Sequence, residues 1–285
     1  MKNGLLVIDK PSGISSRDVV NKLCRIFNTK KIGHTGTLDP LATGCLVMAI
    51  GEALRVIEFI NHDTKEYIAT AKVGLLTDTL DITGNIIKEE KCLLEKDKLL
   101  DVINSFKGKY VQEVPLYSSI KINGMRLYKY AREGKEVELP KREVEIFSIE
   151  LLDVTADTFT FKCLVSKGTY IRSLIRDIGE KLGILCVMET LRRTKEGKFN
   201  IEESVKLDDI NESTSLLPIN RIFSNYYEVV VDSFIEKKII NGRVLEDRYD
   251  KEEVLFKNQN NEVLAIYRKV PQDNKIKPYK VFKHN

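Results

Sequence analysis

The residues best suited to chemistry in this 285-residue chain lie in one stretch, GHTGTLDPLATGCLVMAIGEALR, at positions 33–55. Its first twelve residues contain three glycines, a histidine, a proline and a single carboxylate, Asp39. Glycines permit backbone conformations and close approaches that side chains forbid, and Pro40 fixes φ directly after the acid. An apolar run, residues 45–50, follows. The pattern predicts a shaped loop that presents Asp39 at the edge of a buried strand, where a rigid support holds a reactive group.

Local pattern alone leaves the role of this loop open. An Asp-Pro pair among glycines is often only a turn or a helix cap. A phosphate-binding Walker loop is excluded, because Gly36 is followed by Thr37 and Leu38 instead of the lysine and hydroxyl residue that such a loop requires. The GxGxxG spacing of dinucleotide-binding loops does not occur either.

Metal, disulfide and membrane chemistry have little support in the sequence. The histidines His34, His62 and His284 are far apart and lack the i, i+4 spacing of a zinc-binding helix. The five cysteines form no CxxC pair, which favours reduced thiols. No segment approaches the roughly 18 apolar residues of a membrane span. We predict a soluble, cytoplasmic protein without metal or cofactor.

Hydrophobic patterns predict the elements that hold the loop. A helix follows Ser15 or Ser16, either of which can cap it. A second helix covers residues 52–60. Strands are predicted at residues 4–8, 45–50 and 67–73, the second buried on both faces and the third starting at Tyr67.

A later helix carries a second residue of interest. It is predicted to start near Thr169, its apolar face begins at Ile171, and its end is marked by Gly183. Arg172 lies in the first turn, where a cation opposes the helix dipole. This placement predicts a carboxylate that pairs with Arg172. Residues 191–194 follow as the start of a strand or bridge.

The charge distribution permits a nucleic-acid partner. Net charge is only +4, with 46 basic and 42 acidic residues. Residues 121–142, however, hold seven Lys/Arg against three Glu, interleaved with tyrosines and with an Asn123-Gly124 turn before a short helix. A solvated charged face is the simpler interpretation of such a run.

Several blocks of sequence resemble one known family. GHTGTLDPLATGxL closely resembles the catalytic signature of the TruB family of tRNA pseudouridine synthases. Further blocks of that pattern occur in the same order, DKPSGISS (9–16), KEYIATAKVG (65–74), TDTLDITG (77–84), VPLYSSIKINGMRLYKYAREG (114–134), SKGTYIRSLIRDIGEKLG (166–183) and LRRTKEGKF (191–199). The resemblance covers most of residues 1–220.

The resemblance implies an α+β fold with two domains. A pseudouridine synthase catalytic domain, residues 1–225, would have a mixed, largely antiparallel central sheet flanked by helices and loops. A segment at about 117–142 would form a thumb that closes over RNA. Residues 226–285 would form a small, mostly β, PUA-like RNA-binding domain, although a plain stabilising module is the alternative.

The resemblance also implies roles for residues. Asp39 would be the catalytic nucleophile, and Arg172, from the YIR block, its ion-pair partner. Tyr67, from the KEY block, would stack on the target base. Further substrate-binding residues would be His34, Tyr170, Leu191 and Lys10. The implied substrate is the uridine at position 55 in the T-loop of tRNA, and we expect a monomer with no obligatory protein partner.

One carboxylate is chemically adequate for this reaction. Pseudouridine formation breaks the uridine N1–C1′ bond, turns the uracil and joins C5 to C1′. An ionised carboxylate can attack C1′ or remove the C2′ proton, and the sequence leaves both routes open. The second carboxylate of glycosidases is not required, because the leaving group returns within the same site. The base must first be flipped out, and stacking on Tyr67 offsets part of that cost.

Two alternatives and two departures remain. The chain could be a non-catalytic tRNA-binding or RNA-folding protein. It could also be the subunit of a guide-RNA-dependent synthase, but the thumb segment and the small C-terminal module disfavour this second alternative.

Leu54 stands where the family commonly has threonine. Glu196 stands where a small residue is usual, and we expect it to add negative charge near a phosphate path.

Overall fold

The structure, a computed structural model, describes residues 2–60 and 64–282. His62 and His284, two of the histidines considered above, lie outside the described residues. In chain order the strands are β1 (Gly4–Lys10), β2 (Ile32–His34), β3 (Thr43–Ile50), β4 (Lys65–Val73), β5 (Leu75–Thr77), β6 (Ile86–Glu89), β7 (Gly108–Glu113), β8 (Lys121–Ile122), β9 (Met125–Arg126), β10 (Lys141–Val154), β11 (Thr158–Val165), β12 (Cys186–Glu196), β13 (Phe199–Asn200), β14 (Val205–Lys206), β15 (Tyr227–Val230), β16 (Leu245–Glu246), β17 (Glu253–Lys257), β18 (Val263–Lys269) and β19 (Lys275–Val281). The α-helices are α1 (Ser16–Ile26), α2 (Ile57–Ile60), α3 (Lys96–Asn104), α4 (Leu127–Arg132), α5 (Ile171–Leu182) and α6 (Ser233–Ile240).

A large central sheet organises the first part of the chain. Its strand order is β14-β1-β3-β12-β4-β11-β10-β7, with β2 paired to β3 and β13 to β12. The pairs β1–β14 and β3–β12 are parallel and the others are antiparallel. The prediction of an α+β fold with a mixed, largely antiparallel sheet is confirmed.

Strand β3 is buried on both faces, as its continuous apolar sequence predicts. Leu46, Met48 and Ile50 face a core that includes residues of α1 and α5. Cys45 and Val47 face a second core on the opposite side. Because β3 cannot move between two packed layers, the loop that precedes it has a rigid support.

Local signals fixed the helix ends near the loop. Ser15 caps α1 in a reciprocal arrangement with Asp18, and Gly183 ends α5 with φ at 76°. The helix predicted over residues 52–60 is instead a 3₁₀ helix, Gly51–Val56, followed by the single turn of α2. Residues 191–194 were predicted to start a strand, but they lie in the second half of β12, which begins at Cys186.

The C-terminal part forms a five-stranded sheet of order β15-β17-β18-β19-β16, with α6 packed against it. Leu255, Ile266 and Phe282 of this part share a core with Val7 and Val47 of the central sheet. The two parts therefore share buried apolar surface, whereas the domain boundary at residue 225 stays a prediction.

The predicted thumb segment consists of a β8–β9 hairpin, α4 and an extended stretch that leads into β10. Asn123-Gly124 forms the turn of the hairpin, as its sequence predicts, and the predicted helix follows as α4. Both fit in this segment because the hairpin strands are only two residues each. Leu127 anchors the segment, since it is fully buried.

Candidate active site

A cavity of about 810 Å³ opens beside the loop that carries Asp39. It lies between the 37–41 loop, the turn around residues 79–83, the start of α5 and the thumb segment. The sequence-predicted residues on its lining are Asp39, Tyr67, Tyr170, Arg172 and Leu191. These five residues come from four separate stretches of the chain and converge on one cavity, which is in the size range of small-molecule sites.

Asp39 and Arg172 form an ion pair in this cavity. Arg172 Nε lies 3.0 Å from Asp39 Oδ2, and Arg172 Nη2 lies 3.3 Å from Asp39 Oδ1. The arginine side chain is 5% exposed, whereas that of Asp39 is 35% exposed. The guanidinium is therefore fixed inside the protein, while the carboxylate is open to a molecule in the cavity. This pairing accounts for a cation in the first turn of α5.

Arg172 is held by two other segments as well. Its Nη1 donates to the carbonyl oxygen of Thr79 at 2.8 Å, and its Nη2 donates to that of Tyr117 at 2.9 Å. A planar guanidinium with five donors can satisfy such an arrangement, whereas an ammonium cannot. The arginine consequently sets the position of Asp39 relative to the turn and the thumb.

The turn beneath Arg172 is shaped by a residue that sequence reasoning missed. Asp81 is 6% exposed, and its Oδ1 accepts hydrogen bonds from Thr79 Oγ1 at 2.9 Å and from Thr83 N at 3.0 Å. Leu80, between them, has a positive φ of 62°. Asp81 thereby fixes the Thr79 carbonyl that Arg172 contacts. The threonines and aspartates of TDTLDITG could have predicted this turn from the sequence, because such side chains favour local turns.

The loop itself is fixed from below by α1 and β1. Leu38 N donates to Ser16 Oγ at 2.9 Å, and Ser16 Oγ donates to Leu38 O at 3.1 Å. Lys10 is fully buried, and its ammonium donates to the carbonyl oxygens of Pro11, Ile14 and Pro40 at 2.9, 2.7 and 3.3 Å. These bonds connect the N-terminal turn to the loop that carries Asp39.

Lys10 was expected to bind substrate, but it does not lie on the lining of the cavity. Its three donors already point at backbone carbonyls. Burial lowers the pKa of Lys10 to about 8, and the Asp39 charge opposes part of that shift. In this structure Lys10 holds the loop in place.

Two tyrosines and a leucine contribute to the lining of the cavity. Tyr67 on β4 and Leu191 on β12 are 6% and 7% exposed. Tyr170 is at the N-cap position of α5, where it has no side-chain cap. Gln112 holds the backbone of Tyr170, because Tyr170 N donates to Gln112 Oε1 at 2.8 Å and Gln112 Nε2 donates to Tyr170 O at 3.1 Å. Arg142 lies over the Tyr170 ring, 5.2 Å from its centre.

His34 is not on the lining of the cavity with the other predicted residues. It belongs to β2 and lies near a buried charged group that includes Arg193 and Glu196. Burial lowers the pKa of His34, and Arg193 acts in the same direction. The imidazole is therefore neutral near pH 7.

The expectation for Glu196 is wrong. Its side chain is 2% exposed and forms ion pairs with Lys65 at 3.2 Å and with Arg193 at 3.1 Å. The carboxylate faces inward because β12 buries this side, so it adds no charge to a solvent-exposed phosphate path. The other departure, Leu54, packs on Gly33, where an added Cβ would lie 2.8 Å from Leu54 Cδ2.

The described residues provide neither a metal site nor a membrane-spanning helix. Within residues 2–60 and 64–282, no group of three or more histidine, cysteine or acidic side chains has a geometry suited to a metal ion. None of the helices in the same ranges combines the length and the apolar composition that crossing a bilayer requires.

Comparison with known proteins decides the family. The model of the TruB family pseudouridylate synthase N-terminal domain matches residues 24–171, which is more than half of the chain. The chain belongs to the TruB family. The model of the tRNA pseudouridylate synthase B C-terminal domain matches residues 172–219, and it begins at the arginine that pairs with Asp39.

Curated TruB relatives match over nearly the whole length. The tRNA pseudouridine synthase B of Clostridium tetani is 43% identical over 271 residues, which cover 93% of this chain and 92% of the relative. That of Caldicellulosiruptor saccharolyticus is 42% identical over 250 residues, which cover 88% of this chain and 86% of the relative.

Solved structures show the same fold as this TruB chain. A chain of an H/ACA RNP bound to a substrate RNA containing 2'-deoxyuridine superimposes with a TM-score of 0.72 at 24% identity, covering 99% of this chain and 85% of that one. A chain of a Cbf5-Nop10-Gar1 complex gives a TM-score of 0.72 at 25% identity, covering 98% and 85%.

Proposed function

We propose that this chain converts uridine-55 in the T-loop of tRNA to pseudouridine, without a cofactor. The observation that carries the proposal is the Asp39–Arg172 ion pair on the wall of a cavity of about 810 Å³. TruB relatives that are about 40% identical over most of the chain bear the name tRNA pseudouridine synthase B.

Asp39 is the reacting group of the proposed mechanism. Its exposed carboxylate attacks C1′ or removes the C2′ proton of a nucleotide in the cavity, and the N1–C1′ bonding electrons leave with the uracil. After the base turns, C5 bonds to C1′. In the first route this bond replaces the Asp39–C1′ bond, and in the second Asp39 returns its proton to C2′, so both routes regenerate the carboxylate. C5 then loses its proton and N1 takes one up, which completes the isomerisation. Arg172 keeps both carboxylate oxygens in a fixed direction throughout, which supplies the positioning that such a step needs.

The cavity walls suit a flipped uracil. Tyr67 provides a ring on which the base stacks, and stacking of this kind contributes about 1–3 kcal/mol per base. Tyr170 and Leu191 enclose the base from the other sides. His34, on neighbouring β2, is the candidate for contact with an adjacent nucleotide rather than with the base.

The thumb segment is the proposed clamp for the T-arm. Tyr128 and Arg132 of α4 lie on the cavity lining, with the guanidinium 5.6 Å from the centre of the ring. A cation beside an aromatic ring at the mouth of a cavity suits a phosphate next to a base. We propose that the thumb and the C-terminal sheet, residues 226–285, contact tRNA, and that the enzyme acts as a monomer.

The guide-RNA-dependent alternative is less well supported. The chains from RNP complexes are 24–25% identical to this one, whereas the curated tRNA pseudouridine synthase B relatives reach 43%. Activity on a bare tRNA transcript, with no other protein or RNA, distinguishes the two.

The test of the proposed function is the Asp39→Asn variant. We expect it to release no tritium from tRNA transcripts that carry 5-tritiated uridine, and to bind the transcript as wild type does. The matched control is Asp208→Asn, an exposed carboxylate paired with Lys22, which keeps its activity. A transcript with the target uridine replaced gives no release. Tritium release by Asp39→Asn refutes the role of Asp39, and binding without release by wild type would indicate the non-catalytic alternative.

A further inference from the structure

A buried group of charged side chains lies beneath the Asp39 loop, and the proposed reaction does not use it. Arg193 is 0% exposed, Glu196 is 2% exposed and the Lys65 side chain is 17% exposed. Glu196 Oε2 lies 3.1 Å from Arg193 Nη2, and Glu196 Oε1 lies 3.2 Å from Lys65 Nζ. One carboxylate therefore bridges two cations inside the protein.

Arg193 connects both ends of the loop. Its Nη2 donates to the carbonyl oxygen of Gly36 at 3.0 Å, and its Nε donates to that of Cys45 at 2.6 Å. Gly36 precedes Asp39 and Cys45 follows it, so the acid is carried on a segment whose two ends are tied to one guanidinium. A shift of that guanidinium changes the path of the whole segment.

The loop backbone rests directly on this charged group. A Cβ added to Gly36 would lie 2.3 Å from Lys65 Nζ and 2.6 Å from Glu196 Oε1. A Cβ added to Gly44 would lie 2.2 Å from the carbonyl oxygen of Arg193. Both glycines thus permit contacts that any other residue would prevent.

The same group reaches the strand of Tyr67. In the β12–β4 register, Arg193 is opposite Tyr67 and Glu196 is opposite Lys65. Lys65 also lies on the cavity lining, two residues before Tyr67. Glu196 consequently links the loop that carries the acid to the strand that carries the stacking ring.

The electrostatics make the carboxylate necessary. Burial lowers the pKa of the Arg193 guanidinium, and Glu196, together with smaller contributions from Tyr67 and Cys45, more than offsets this, so that the net direction is upward. Without Glu196, two cations would face each other in a region of low dielectric, and a buried charge left unpaired is strongly unfavourable.

We propose that Glu196 is a positioning residue, which pairs with both Arg193 and Lys65 and thereby sets the distance between Asp39 and Tyr67. The inference rests on the proposed function.

The test replaces Glu196 with glutamine, which keeps the shape and removes the charge. Tritium release from a T-arm stem-loop is measured below the unfolding temperature, so that every variant is folded. We expect kcat to fall about 10- to 100-fold, as for small displacements of reacting groups, with KM close to that of wild type. Glu143→Gln is the matched control, because its pair with Lys109 at 3.1 Å is 63% exposed; its kcat should not change.

A second variant, Glu196→Asp, keeps the charge. If Glu196→Gln does not fold, the test is decided by the kcat of Glu196→Asp. We expect Glu196→Asp to lose less kcat than Glu196→Gln, and to show a lower kcat than wild type at unchanged KM. The inference is overturned if the folded variants have the kcat of wild type. It is also overturned if Glu196→Asp and Glu196→Gln lose kcat by the same factor. An inactive wild type would instead overturn the proposed function.

Discussion

Replacing Arg172 with lysine separates the charge of the arginine from its geometry. Arg172 contacts Asp39 at 3.0 and 3.3 Å and donates to the carbonyl oxygens of Thr79 and Tyr117 at 2.8 and 2.9 Å. Lysine keeps the positive charge, but its ammonium cannot span a carboxylate and reach carbonyls on both sides. The variant therefore leaves Asp39 with a counter-charge and without a fixed orientation.

The expected size of the effect follows from these contacts. A hydrogen bond to a charged group contributes about 1.5–3 kcal/mol, and a buried acceptor left unpaired costs about 1–3 kcal/mol. Because the Asp39 side chain is 35% exposed, water screens part of the pair and the lower values apply. A loss of about 2–4 kcal/mol in transition-state positioning corresponds to about a 30- to 1,000-fold decrease in kcat.

The assay is single-turnover tritium release, with tRNA binding measured separately. Arg176→Lys is the matched control, because Arg176 lies one turn further along α5, bonds Asp177 at 2.9 and 2.7 Å and does not line the cavity. That variant should lose stability yet turn over at a rate close to wild type. If the single-turnover rate of Arg172→Lys equals that of Arg176→Lys, the reaction does not depend on the geometry of the Arg172 guanidinium.

Two further predictions concern residues behind the cavity wall. Gln112→Met leaves the backbone N–H of Tyr170 without its acceptor, whereas the Tyr170 carbonyl keeps the bond from Leu174 N at 3.0 Å. The free energy of unfolding should therefore fall by about 1–3 kcal/mol in urea titrations, and an unchanged midpoint would contradict this. Burial lowers the pKa of His34 in the folded protein below its ordinary value of 6.5. As pH falls through 6.5, the unfolded chain therefore binds a proton before the folded protein does. The stability that neutral His34 contributes above pH 6.5 is then progressively lost. The difference in unfolding free energy between wild type and His34→Asn should therefore narrow with acidification, and an NMR titration that gives the imidazole a pKa of 6.5 or higher would rule this out.

Local features of the sequence were enough to predict the elements around the site. Ser15 begins α1 through its side-chain cap, and Gly183 ends α5 through its left-handed backbone conformation. The apolar run in β3 predicts burial on both faces. The sequence also indicated that Arg172 needs a carboxylate, because a cation is unfavourable at the start of a helix. Only the resemblance to a family, however, connected Arg172 with Asp39.

Other features were decided by tertiary structure alone. Asp39 and Arg172 are 133 positions apart, and the charged group beneath the loop depends on the register in which β12 pairs with β4. Lys10 looked like a substrate ligand and Glu196 like a surface charge, yet both are buried. A window of neighbouring residues determines backbone conformation and periodicity. Which side chains meet across a sheet depends on long-range strand pairing, and that pairing is set by the packing of the entire core.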